Sequence, residues 1–93
     1  MVTAFVMIRT DPQGIPEAGQ RIADIDGVQS VYSVTGPWDL VAMVQGTDFD
    51  ELAALIPDRI SKVTGIRDTE TLLAFRTYSD HDLEAGFALG LDE

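Results

Sequence analysis

The sequence predicts an α+β fold whose elements follow the order β-α-β-β-α-β. Three observations carry the prediction. Strand-forming residues gather in four separate runs, two stretches between them place apolar residues at helical spacing, and the connections are short and rich in Gly, Pro and Asp. That order is the split βαβ, or ferredoxin-like, arrangement: a four-stranded antiparallel sheet with two helices on one face.

The first strand is read over residues 2–9. Val2, Ala4, Val6 and Ile8 point to one side and Thr3, Phe5, Met7 and Arg9 to the other, so both faces are largely apolar and both should be covered. Asp11-Pro12-Gln13-Gly14 is a turn, and Pro16 suits the first turn of a helix, where a missing N–H costs nothing. Ile15, Ala18, Ile22 and Ile25 then draw one apolar stripe along a short helix that ends by Asp26-Gly27.

Val28 to Thr35 and Leu40 to Gln45 form a hairpin, closed after the second strand by Gly46. Thr47 or Asp48 can cap a second helix, with Asp50 or Glu51 three residues later completing a capping box. Phe49, Leu52, Ile56, Ile60 and Val63 are expected on its buried face, and Pro57 should kink or break it near Leu55 and Ile56. The last strand is expected from Ile66 to Tyr78, as the longest of the four.

Residues 1–79 make one domain on this reading. Residues 80–93 form an acidic tail in which Leu83, Phe87 and Leu91 recur every four positions, the pattern of a short amphipathic helix that docks on a surface. With both helices on one side of the sheet, Phe5, Met7 and their neighbours leave an apolar face open, which predicts at least a dimer with sheet facing sheet.

Composition narrows the function classes. The 93 residues carry a formal charge of −10, which opposes binding to a polyanion and disfavours direct nucleic-acid contact. The basic group Arg59, Lys62 and Arg67 is interleaved with Asp58, Asp68 and Glu70 and reads as a solvated face. No run approaches the roughly 20 apolar residues of a membrane span, and the apolar start lacks the basic segment of a signal peptide, so a cytoplasmic location is expected. The absence of cysteine excludes disulfides, zinc-thiolate sites and thiol catalysis. The single histidine, His81, lies between Asp80 and Asp82 and supports neither a metal site nor a catalytic triad. Neither a cofactor nor a metal is expected.

The candidate site is the turn Thr35-Gly36-Pro37-Trp38-Asp39. Gly36 and Pro37 bend the backbone, Trp38 offers an apolar plane with one N–H, and Asp39 stands among apolar neighbours, where a carboxylate seeks a cation or N–H donors. The same residues also suit an ordinary hairpin corner.

That turn, together with Gly27-Val28, Asp58-Arg59-Ile60, Gly65-Ile66 and Thr69-Glu70-Thr71-Leu72-Leu73, resembles the effector-binding domain of the Lrp/AsnC family, also called the regulation-of-amino-acid-metabolism (RAM) domain. The resemblance runs from residue 2 to about residue 78. It implies a ferredoxin-like fold, dimers formed through the sheets, octamer-like rings, and a small effector, typically an amino acid, bound between dimers near the turn. Gly36 and Asp39 match the family's turn glycine and acid, and Trp38 takes its aromatic place. Asp39 would then pair with the effector's ammonium, N–H groups around Gly36 would meet its carboxylate, and Thr69 and Thr71 would supply hydroxyls. The chain begins at the first strand with no helix-turn-helix before it, so it is similar to a stand-alone effector domain that modulates transcription by assembling with itself or with full-length relatives.

This reading is non-enzymatic. Two alternatives stand beside it: a small dimeric αβ-barrel-type monooxygenase or isomerase using Tyr32, Tyr78 or Asp39 for proton transfer, and an architectural subunit with no effector.

Overall fold

Strand β1, Val2–Thr10, runs through the middle of the sheet because every second side chain is apolar and small enough to pack under a helix. Ala4, Val6 and Ile8 are completely buried on that side, and the computed structural model describes residues 1–78 around them. A single 3₁₀ turn, Pro12–Gly14, leads into helix α1, Ile15–Ala23, with Pro16 in its first turn and Ala18 and Ile22 buried against the sheet. Gly27, at φ 99°, reverses the chain after α1.

Strands β2, Val28–Ser33, and β3, Leu40–Gly46, form the hairpin around residues 34–39. Asp48 caps helix α2, Phe49–Leu55, by accepting the Glu51 N–H at 3.0 Å, and Glu51 Oε1 accepts the Thr47 N–H at 2.7 Å. The reciprocal bond of the capping box therefore reaches one residue further back than the usual pattern.

The α-helix ends at Leu55, where the sequence places the break. Pro57 has no N–H to donate, and the chain widens into a π turn, Ile56–Ile60, closed by the Ser61 N–H donating to the Ile56 carbonyl at 3.0 Å.

Strand β4, Ile66–Leu73, completes an antiparallel sheet in the order β2-β3-β1-β4. The register sets Leu40, Ile8 and Thr69 in one row and Ala42, Val6 and Thr71 in another, all on the helix side. Leu52 and Ile60 close the core from above.

Three expectations need correction. β4 stops at Leu73 rather than Tyr78, because β1 starts at Val2 and little neighbouring strand remains to pair with; only the Ala74 N–H continues, donating to the Thr3 carbonyl at 2.9 Å. β1, with nine residues, is consequently the longest strand. Phe49, at the first position of α2, is exposed, because it borders an open groove with Leu52, Thr71 and Leu73 rather than the closed core. The tail expected over residues 80–93, with its proposed helix and His81, lies outside the described residues.

The face turned away from the helices carries Phe5, Met7, Val41, Met43, Tyr32 and Leu72 in adjoining rows of the register. Phe5, Tyr32 and Leu72 are exposed there, and Met7, Val41 and Met43 are half-buried. The face is largely apolar, with Glu70 beside Met7 as its acidic member.

Candidate functional site

The hairpin corner is held from three directions. Its own strands close it, the Val34 N–H donating to the Asp39 carbonyl at 3.0 Å. The Asp39 N–H donates to the Ile8 carbonyl at 2.9 Å, which extends the β1–β3 ladder one step past Leu40. Asp39 Oδ2 then accepts the Thr10 N–H at 2.9 Å, so the side chain takes the next ladder position that the backbone has vacated. Thr10 is 2% exposed, and its N–H would otherwise be buried without a partner. No described residue donates to Oδ1 of Asp39.

Gly36 sits at φ 109°, a conformation that side chains resist, and this lets the tip turn over before Pro37. Thr35, Gly36 and Pro37 are exposed, while Trp38 and Asp39 are half-buried.

The third hold comes from Arg9. Its Nε and Nη2 both donate to the Pro37 carbonyl, at 3.1 and 2.9 Å, and its guanidinium carbon lies 4.8 Å from the centre of the Trp38 ring. Nη1 reaches 3.5 Å from Asp68 Oδ2 on β4. Sequence reasoning placed Arg9 only as an outward residue of the first strand. The available signal was its position: a single cation ending an otherwise uncharged run, on the strand that had to lie beside the Trp-Asp turn.

Thr69 and Thr71 lie elsewhere in the protomer. Both project from β4 to the helix side, and β4 is separated from β3 by the whole of β1, about 10 Å across the sheet. Thr71 helps to line an apolar groove of about 240 Å³ with Phe49, Leu52, Ile56, Pro57 and Leu73. No titratable side chain lines that groove. Tyr32 lies on the open sheet face and Tyr78 lies beyond β4, and both are exposed.

The bulge opposite Arg9 and Thr10 turns Arg67 outward to pair with Asp11 at 2.8 Å. Among the described residues no group of three or more potential ligand side chains is placed to hold a metal ion. No helix among them is long and apolar enough to cross a membrane.

Comparison with known proteins places the chain in a wider group. Residues 3–83 match the family model described as the Lrp/AsnC ligand binding domain. An uncharacterized HTH-type transcriptional regulator of Pyrococcus horikoshii is 35% identical over 81 residues, which are 84% of this chain and 54% of that protein. The chain thus spans about half the length of the curated regulators it matches. A crystal structure of a Thermus thermophilus protein superimposes with a TM-score of 0.80 at 47% identity, covering 84% of this chain and 98% of that one. The feast or famine regulatory protein of M. tuberculosis, solved in complex with L-methionine, superimposes with a TM-score of 0.71 at 33% identity, covering 86% of this chain and 54% of that one.

Proposed function

The chain belongs to the Lrp/AsnC ligand-binding domain family, and from that premise we propose that it is a regulatory module that binds an amino acid between subunits and transmits that binding through its state of assembly. The observation that carries the reading is the family match over residues 3–83, joined by a relative solved with L-methionine. The corner offers chemistry suited to an amino acid. Asp39 keeps Oδ1 for an ammonium, the exposed backbone at Thr35 and Gly36 can meet a carboxylate, and Pro37 and Trp38 supply an apolar wall for a side chain.

Thr69 and Thr71 enter the site only if a second subunit brings them there, since within one protomer they lie across the sheet from the turn. The open face of Phe5, Met7, Val41 and Met43 is the surface on which a second copy would pack, giving a sheet-to-sheet dimer from which larger rings are built. On this reading the module acts in the cytoplasm, without chemistry of its own, through self-assembly or mixed assembly with Lrp/AsnC relatives.

The test is thermal unfolding against a panel of amino acids at millimolar concentration, run beside Asp39→Asn. A ligand at 100 times its dissociation constant adds about 2.7 kcal/mol, a shift of several degrees for a domain of this size. The reading expects one or a few amino acids to raise the transition and Asp39→Asn to remove the response. A flat response across the whole panel would end it in favour of an architectural subunit.

A further inference from the structure

Arg9 belongs to two surfaces at once. It alternates with Thr3, Phe5 and Met7 on the open face of the sheet, where its register partner on β4 is Asp68, and the same guanidinium grips the Pro37 carbonyl and stacks over Trp38. Its side chain is 44% exposed and that of Asp68 58% exposed, so water now competes for both. A second sheet laid over Phe5 and Met7 would exclude that water. The ion pair then strengthens as the local dielectric falls, and a guanidinium has enough donors to keep both carbonyl bonds while it does so.

We infer that Arg9 is a positioning residue that couples association through the open sheet face to the geometry of the 34–39 corner. This rests on the sheet-to-sheet dimer in the function proposed above, and it deepens that reading by naming the link between assembly and site. Two groups of the site depend on Arg9 directly: the Pro37 carbonyl sets the path of the tip, and the Trp38 ring sets its apolar wall. By linkage, an effector that grips the corner strengthens association by the same factor by which association strengthens effector binding.

Trp38 is the only tryptophan of the chain, so its fluorescence reports this corner alone, with no effector needed. The experiment compares Trp38 emission and sedimentation of four proteins: wild type, Met43→Glu to separate the sheets, Arg9→Lys, and the double variant. Lysine keeps the charge but cannot make the paired donation or the planar stack. The expected result is that emission differs between wild type and Met43→Glu, and that this difference is lost in the Arg9→Lys background although Arg9→Lys still associates. If Arg9→Lys does not fold by circular dichroism, Asp68→Asn replaces it and should diminish the same difference. The inference is overturned if Trp38 emission is indifferent to association in the wild type, if the difference persists unchanged in the substituted background, or if the wild type sediments as a monomer throughout. Failure of the amino-acid reading shows separately, as a flat ligand panel with this coupling intact.

Discussion

The Asp39 carboxylate accepts the backbone N–H of Thr10 at 2.9 Å, so the acid of the candidate site also completes the β1–β3 ladder. If Asp39 also holds the proposed effector, stability and binding are entangled at this residue, and the two contributions separate only with the right pair of variants. Asp39→Ala leaves a buried N–H without a partner, which costs about 1–3 kcal/mol. Asp39→Asn keeps an oxygen to accept that bond and removes only the charge. The expected outcome is a clear drop in urea midpoint for Asp39→Ala and a small one for Asp39→Asn, with the amino-acid response lost in both. Equal midpoints for the two variants would mean that the Thr10 bond contributes nothing measurable.

Gly36 tests the corner from the backbone side. A methyl built there meets no heavy atom within 4 Å, so space is not the obstacle, but φ 109° is. Gly36→Ala should lower stability by about 1–3 kcal/mol, entirely through strain at the tip. Chemical denaturation gives the size, and a crystal structure of the variant should show the tip rebuilt. An unchanged midpoint would show that the tip relaxes freely, which would remove the case for a preformed site.

At the far end of the sheet, Asp48 accepts the Glu51 N–H at 3.0 Å and starts α2. Asp48→Ala should cost about 1 kcal/mol, and Asp48→Asn should recover most of it because its amide oxygen can accept the same bond. The corner lies at the other end of β3, so the amino-acid response should be unaffected in both variants. A loss of response here would tie the effector to α2 instead of the turn.

What could be read in advance was local. Pro16 and the Ile15, Ala18, Ile22 stripe placed α1, and Pro57 located the end of the second α-helix, because each acts within a turn or two of its own position. What could not be read depended on neighbours. The alternation of residues 66–78 continues past Leu73, but a strand lasts only as long as its partner does, and the length of β1 set the limit. The same holds for Thr69 and Thr71. Their shared parity was visible, whereas which parity faces the helices was decided by the pairing with Ile8 and Val6. Arg9 stands 28 residues from Pro37 in sequence, and only the β1–β3 register brings them together.

The open face is where assembly and fold can be separated. Met43 pairs with Phe5 across β3 and β1 and is half-buried on the outer side, whereas its neighbours Ala42 and Val44 are buried on the core side. A charge at Met43 therefore leaves the core untouched. In a symmetric dimer the change appears twice in one interface, so Met43→Glu brings two carboxylates to a surface whose adjoining rows hold Ser30, Tyr32, Val41, Met7, Phe5, Leu72 and the acidic Glu70 but no cation. Stranding unpaired charge in such a surface costs several kcal/mol, which corresponds to association weaker by on the order of a hundredfold or more. Sedimentation should show the wild type associated and Met43→Glu dissociated at the same concentration, with circular dichroism unchanged. If both sediment alike as oligomers, the subunits meet through another surface and the apolar face needs a different occupant; if both sediment as monomers, the sheet-to-sheet dimer is overturned.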